Sequence, residues 1–485
     1  MRRKYIVVVI LFLLLFGVNV SGDIDTKEPS ATVFDGNILY CGGSGAGNYT
    51  TIQSAINDAV DDDTVFVYDD SSPYYENLEI DKSINLIGED RNTTIIDGEN
   101  NDYIVIINTD FVNIKNFYLR GDYGVYLESS YNQLSFNIMT IENSCIENQI
   151  DESHNNFISN NKLIHNNYFG EDDTDDYVIY LQNSNDNIIY ENTVYTFYDS
   201  GLIIIGNNNH ISKNTFVNSS YYGYYYYDML PIEEIEIEGD YNVISNNTIF
   251  SGDEEAFIGI SVIGNSCNNL IDGNNISGCS KYGISIPEIQ NNMVSNNIIY
   301  NCFFGIDTEK SNGNTIIENK IFECYTGISI MRSNENIIMK NEIYECNEGI
   351  GLYNSNENII IKNEIYECEY GILLESFSKY NNISLNNIHK NIIGLELSGF
   401  SKYNMIYNNN FLNNDVNAKF LQWCFINNWN ENFWDKPRDF PYPIFGNIRY
   451  SLYWLGLCIL IFGFLIPTIV KFDWHPASEP YDIEV

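Results

Sequence analysis

Positive charge is what this chain has least of: 24 Lys and Arg stand against 66 Asp and Glu, a formal net charge of −42. Phosphate binding needs a basic stripe, so nucleic acid is excluded as a partner. Such a surface suits divalent cations and a salt-rich exterior, with most carboxylates forming a solvated face. Helical periodicity is missing too. Across the repeats described below, apolar residues do not recur at three- and four-residue spacing over ten or more positions, which excludes a helical repeat. Histidine is sparse, and the five (154, 165, 210, 389 and 475) are scattered.

What is present is Asn at a fixed period. Asn at 269, 292, 314, 336, 358, 381 and 404 is followed five residues later by a second Asn, at 274, 297, 319, 341, 363, 386 and 409, in steps of 22 or 23. The pairs continue upstream at 132/137, 156/161, 187/192, 209/214 and 242/247, giving twelve recognisable coils. Apolar residues alternate in short sets, as in Gly327-Ile328-Ser329-Ile330 and Asn341-Glu342-Ile343, which reads as strands separated by turns. Three short strands per turn predict an all-β solenoid, a single-stranded parallel β-helix of about 12–15 coils in which each coil buries its apolar face against its neighbours. At roughly 4.8 Å per coil, twelve coils make a rod on the order of 55–60 Å long.

Repeated at that spacing, the Asn side chains are predicted to pass hydrogen bonds from coil to coil at an inward corner, where an unpaired amide would cost about 1–3 kcal/mol. Gly259, Gly283, Gly305, Gly327, Gly349, Gly371 and Gly394 form a parallel row, predicted to need positive φ or close backbone approach. Cys279, Cys302, Cys324, Cys346 and Cys368 form another, continued by Asn391 and Asn414. It reads as a stack of small buried side chains, because ligands for a soft metal must converge on a point and a ladder holds them along a line.

Arg2-Arg3-Lys4 followed by the apolar run Tyr5 to Val18 reads as a secretory signal over 1–22, which makes the mature chain extracytoplasmic, secreted or at the cell surface. Residues 23–63 read as an extension and a capping helix, with Ile52, Ala55, Ile56 and Ala59 on one face and Thr50 or Thr51 as N-cap. The β-helix follows over 64–430 and a closing segment over 431–450, and at this end of the rod Trp423, Trp429, Phe433 and Trp434 are placed to plug it. Residues 451–472 admit two readings, a transmembrane anchor or the last buried strands, ahead of an acidic tail at 473–485. The chain reads as a monomer.

The segment from Tyr49-Thr-Thr-Ile-Gln-Ser-Ala-Ile to Ser83-Ile-Asn-Leu-Ile-Gly-Glu-Asp resembles the amino-terminal cap of archaeal NosD-like, pectate-lyase-type β-helix proteins. The coils resemble their repeats, and Asn432-Phe-Trp-Asp-Lys-Pro-Arg and Phe472-Asp-Trp-His-Pro-Ala resemble the closing motif of archaeal members. The resemblance implies a right-handed parallel β-helix. It is specific for fold and not for activity, since these proteins span carbohydrate binders, polysaccharide-cleaving enzymes, surface-structural proteins and copper accessories. It also implies an extracytoplasmic closing motif, which weighs against a single span at 451–472. Copper-site maturation finds no paired His or Met motif to support it.

Three steps exceed the period: 31 residues from Asn156, 33 from Asn209 and 27 from Asn242. Their extra residues all follow the second Asn, so the insertions share one corner, the usual place for a binding face. The first carries Asp172, Asp173, Asp175 and Asp176 and the third Asp253, Glu254 and Glu255, oxygen ligands of the kind calcium takes. The second carries Tyr221, Tyr222, Tyr224, Tyr225, Tyr226 and Tyr227, flat rings on which a sugar stacks. These features point to non-catalytic binding of extracellular or cell-envelope carbohydrate, a surface-structural role, or both, with calcium as the candidate cofactor. The enzymatic alternative, a polysaccharide lyase or glycoside hydrolase on acidic glycans, has Glu309, Lys310, Arg332 and Glu375 as its best mixed constellation.

Overall fold

In this computed structural model the described residues are 36–99, 102–148, 153–166, 177–196, 200–218, 232–251, 257–424, 426–437, 440–446 and 469–483. From Gly36 onward they form one unit, a parallel β-solenoid whose strands fall into three long sheets. One coil shows the plan: Ile337–Met339 lies in the first sheet, Glu342–Tyr344 in the second and Glu348–Tyr353 in the third. Each pairs in parallel, in register, with its equivalent one period later, Ile338 against Ile360, Ile343 against Ile365 and Ile350 against Ile372. The first sheet has 17 strands and the second 16, so the solenoid makes about 16 turns. That exceeds the twelve Asn-marked coils because the earliest turns carry apolar residues, Val112 and Phe117 among them, where later ones carry Asn.

The Asn pairs form two continuous ladders inside the corners. In each rung the backbone N–H, and in most the side-chain amide as well, donates to the next coil's Asn oxygen, as from Asn341 to Asn363 Oδ1 at 3.0 and 2.9 Å. The amide also donates back to the Ile316 carbonyl, at 3.0 Å. Corners are sharp because residues beside the ladder take positive φ, such as Glu335, Lys340 and Glu345 at 58°, 54° and 53°. That conformation costs roughly 1–2 kcal/mol for each non-Gly residue, a cost the repeated buried hydrogen bonds offset.

The Gly row resolves to one of its two expected causes. None of the seven has positive φ; a Cβ on Gly349 would sit 2.5 Å from the Gly371 carbonyl oxygen and 2.7 Å from Ile365 Cγ2. Close packing on the next coil excludes a side chain there. The Cys row is buried as expected, with Cys302, Cys324, Cys346 and Cys368 at most 5% exposed.

Both ends are closed. At the amino-terminal end the helix Ile52–Asp58 buries Ile52, Ala55 and Ile56, capped by Thr51, whose Oγ1 accepts from Ser54 N at 3.3 Å. Glu76 adds a carboxylate at the helix start, taking Ile52 N and Gln53 N at 2.8 and 2.9 Å, where the macrodipole favours negative charge. At the other end Trp429, Phe433 and Trp434 are buried. The strand Ile469–Asp473 returns antiparallel against Tyr442–Gly446, and Asp473 accepts from Asn432 N, Asn432 Nδ2 and Trp434 Nε1 at 2.9, 3.1 and 3.1 Å. The second ladder thus ends on a carboxylate. Residues 1–35 and 447–468 lie outside the described residues, and with them the segment expected to be a signal and most of the stretch expected to be an anchor or last strands. Among the described residues no helix is long and apolar enough to cross a membrane.

Candidate functional site

The three outer faces differ in chemistry, and the difference singles out one of them. The first sheet presents aliphatic side chains, including Met293, Ile317, Ile337, Met339, Ile359 and Ile361, all partly exposed. The second sheet consumes its aromatic faces on itself: Tyr300, Phe322, Tyr344, Tyr366 and His389 stack in sequence at 5.0–5.1 Å and within 8° of parallel. Rings stacked along the rod offer solvent their edges only. The third sheet instead carries Tyr and carboxylates side by side.

On that third face, Glu348, Tyr353, Tyr370, Glu375, Glu396 and Lys419 come from four successive coils. Tyr353 donates its hydroxyl to Glu348, and Thr326 Oγ1 donates to the same carboxylate at 3.3 Å. The Tyr353 hydroxyl would be 2.7 Å from any Cβ at Gly351, so a residue without a side chain is what lets the ring lie across the strand. Lys419 Nζ is 2.8 Å from the nearly buried Glu396. Burial, then the neighbouring Glu348 and Glu396 carboxylates, raises the Glu375 pKa above the usual range. Burial, then the Glu348 charge, likewise raises the Tyr353 phenol and keeps it a donor. Toward the amino end Asp307 is pushed up to about 6, chiefly by burial, with Ser329 bonding it and Glu309 adding repulsion. Beside Tyr353 a shallow depression is lined by Met331, Arg332, Asn354, Ser376 and Phe377. The arrangement offers hydroxyl donors, charged acceptors and one cation along a rigid face.

The four catalytic candidates do not converge. Arg332 Nη1 meets Glu309 Oε1 at 3.3 Å, but Lys310 pairs with Glu288 instead. Glu309 and Glu375 share a column, with Met331 and Tyr353 between them. Three strand spacings separate them by about 14 Å, beyond the reach of a carboxylate pair on one glycosidic bond. Of the four, Glu375 belongs to the third-face cluster, and its carboxylate partners were hidden in the sequence because Glu348 and Glu396 stand at other positions of their coils.

Asp172, Asp173, Asp175, Asp176, Asp253, Glu254, Glu255 and the six Tyr from 221 to 227 lie outside the described residues. The strands flanking them are described: Lys162–His165 and Tyr177–Gln182, Thr215–Asn218 and Ile232–Glu238, Thr248–Phe250 and Phe257–Ile263. Each insertion therefore joins the second sheet to the third. Inside the rod at this corner runs a column of buried polar residues, His165, Thr196, Asn218 and Ser251. Glu234, which falls within the 33-residue step, is a fully buried strand residue facing Thr196 and Asn218. Burial pushes its carboxyl up to about 8. Its pairing places it beside Gly259, so it interrupts the Gly row, a position the 33-residue step disguised.

The Cys row has no metal-site geometry. Sγ of Cys302, Cys324, Cys346 and Cys368 each lies 3.3–3.4 Å from a carbonyl of its own coil, as thiol donors. Neighbouring thiols, then burial, hold Cys324 and Cys368 well above the usual thiol pKa. His154, His389 and His475 are engaged separately, with Asn185, Glu364 and Asn430. A family model described as NosD, periplasmic copper-binding protein, matches residues 234–343 and 290–439. The repeats are NosD-like. Among the described residues no group of three or more His, Cys, Asp or Glu is placed to hold a metal ion, and thiols held in a line along the rod do not converge as a copper centre requires.

Solved structures are similar to this chain at low identity. The periplasmic alginate epimerase AlgG is 16% identical, with TM-score 0.43, over 61% of this chain and 76% of its own. The mannuronan C-5 epimerase AlgE6 A-module of Azotobacter vinelandii is 13% identical, TM-score 0.31, over 78% and 94%. A mannuronic acid specific family 6 lyase from human gut microbiota is 12% identical, TM-score 0.37, over 82% and 86%. No curated protein sequence matches the chain.

Proposed function

We propose that this protein is an extracytoplasmic β-solenoid that binds an uncharged, hydroxyl-rich polysaccharide lengthwise along its third face, without cleaving it. The observation that supports this most is the Glu348–Tyr353–Glu375–Glu396–Lys419 cluster, which sets donors and acceptors on rigid strands instead of loops. Carboxylates accept hydrogen bonds from sugar hydroxyls strongly because they are charged. The same charges, within a chain of net −42, repel an acidic glycan unless a cation bridges them. Calcium at the acidic insertions would supply that bridge for an anionic polymer. The extracytoplasmic setting agrees with the periplasmic description of the matching family and with the amino-terminal signal.

The test is retention on immobilised neutral and acidic polysaccharides, with calcium or with a chelator, and with assays for new reducing or unsaturated ends. Binding to a neutral polymer is expected to survive chelation and to fall about tenfold in Tyr353→Phe combined with Glu348→Gln, the loss of one or two charge-assisted bonds. New chain ends that vanish in Glu375→Gln would instead establish the lyase or hydrolase reading. Unchanged retention in the double variant would move the site off this face.

A further inference from the structure

The corner that joins the third sheet to the first changes along the rod. Four residues separate Tyr353 from the ladder Asn358, as they separate Met331 from Asn336, but five separate Glu375 from Asn381 and Ser398 from Asn404. The two longer corners read Ser376-Phe-Ser-Lys-Tyr380 and Gly399-Phe-Ser-Lys-Tyr403. Ser378 aligns with Ser355, its Oγ accepting from Ser355 N at 3.2 Å, and Lys379 N donates to Asn356 Oδ1 at 3.0 Å. Phe377 is therefore the added residue, and it bulges from the corner.

Repeated in neighbouring coils, these corners make two short aromatic rails. Phe377 and Phe400 stack at 5.4 Å, and Tyr380 and Tyr403 at 5.3 Å, within 10° of parallel. Phe377 is 51% exposed, Tyr380 58% and Tyr403 48%, more open than any ring of the second-sheet stack. The coil before has no residue to match Phe377, so this ring lines the shallow depression beside Arg332 instead of stacking on another. Between the rails lie two cations. Lys379 and Lys402 pair across adjacent strands, roughly 4.8 Å apart at the backbone. Nζ of each sits 5.6 Å from the centre of its own coil's Phe ring. Lys310, Lys320, Lys340, Lys390 and Lys419 each hold a glutamate, whereas among the described residues neither Lys379 nor Lys402 forms an ion pair. Like charges set directly opposite repel, and one anion reaching both ammoniums removes that repulsion.

We propose that this corner binds an acidic sugar residue of a polysaccharide, its carboxylate or sulfate bridging Lys379 and Lys402 and its apolar ring face lying on Phe377 or Tyr380. The ligand class follows from the combination. Ammoniums alone suit any anion; exposed rings on both sides of them suit an anion that carries a flat apolar face next to its charge. A flexible acidic peptide offers the charge without the face. The corner adjoins the third face, since Ser376 follows Glu375, yet it uses neither the Glu348–Tyr353 pair nor calcium. It therefore recognises a different part of a glycan from the uncharged stretch on that face.

Affinity electrophoresis of the full chain decides this, with polygalacturonate, poly-glutamate or a neutral polysaccharide in the gel and a chelator throughout. Salt is held at about 0.15 M, which screens repulsion from charges more than about 8 Å away. Polygalacturonate is expected to retard the wild type. Lys379→Gln with Lys402→Gln is expected to weaken that binding about tenfold or more, at a melting temperature no lower than wild type because a like-charge pair is lost as well. Phe377→Ser with Tyr380→Ser is expected to weaken it several-fold. Retention by the neutral polymer should be unchanged in the Lys variant and reduced in Tyr353→Phe with Glu348→Gln, so that each site can fail without the other. No retardation by polygalacturonate, or equal retardation of the Lys variant, would overturn the proposal. Poly-glutamate binding as strong as polygalacturonate would also overturn it, by making the partner an acidic protein.

Discussion

Asp473 takes hydrogen bonds from the Asn432 backbone, the Asn432 amide and the Trp434 indole, in a place where its exposure is zero. Asp473→Ala would strand three buried donors, and we expect a loss of about 3–5 kcal/mol in urea unfolding, with Asp473→Asn losing less because one oxygen remains. Glu234 makes the opposite kind of statement. Burial raises its pKa from 4.5 to about 8, so the neutral acid is the form the fold holds. Its contribution is therefore complete below the unfolded value and is lost as pH rises from about 4.5 through about 8. Glu234→Gln keeps the shape without the charge. Its melting temperature should match wild type near pH 5 and exceed it above pH 8; parallel pH profiles for the two proteins would show that the carboxyl is charged and compensated.

At the scale of one coil, the solenoid trades strained corners for packed rows. Four positive-φ residues in a regular turn, such as Arg332, Glu335, Lys340 and Glu345, are tolerated because each precedes a buried side chain of a stacked row. Gly349→Ala is the sharpest test of row packing, since its Cβ would meet the Gly371 backbone at 2.5 Å and the backbone cannot rotate away as a side chain would. A cost of about 2–3 kcal/mol is expected in thermal or chemical unfolding. This level was the most legible in the sequence, because a coil that repeats prints its rules many times. Asn341 and Asn363, Gly349 and Gly371, Cys346 and Cys368 could be placed from spacing alone, and Thr51 from the helix it precedes. The first turns were harder to read, since Val112 and Phe117 keep the backbone half of the ladder bond, to Asn132 and Asn137, with no amide of their own to show it.

Across the whole molecule, the net charge of −42 on a sealed rod means that carboxylate repulsion opposes folding along its full length. Raising monovalent salt from about 0.05 to 1 M shortens the screening length from over 10 Å to about 3 Å, and the melting temperature should rise with it. A flat response would mean that the surface carboxylates are already paired or neutralised. The candidate site was less legible than the fold for a reason of scale. Glu348, Tyr353, Glu375, Glu396 and Lys419 are neighbours only after the chain has wound, and they fall in three columns, Tyr353 beside Glu375, Glu396 beside Lys419 and Glu348 in a third. Insertions were visible as broken steps, whereas Glu234 was concealed by one of them.

The ladders also have a direction. Every rung donates toward the carboxy-terminal neighbour, from Val112 and Phe117 at one end to Asn427 and Asp473 at the other. A chain of donors that all face one way needs a special residue only where it stops, and Asp473, which can accept and not donate, is that residue. Any number of identical turns can stand between start and stop. Excising residues 337–358, one full period from Ile337 to Asn358, should leave a soluble rod about 5 Å shorter with its far end still sealed, measurable by small-angle scattering. The fold carries no instruction about its own length, so copy number is a dimension this protein can change without relearning how to fold.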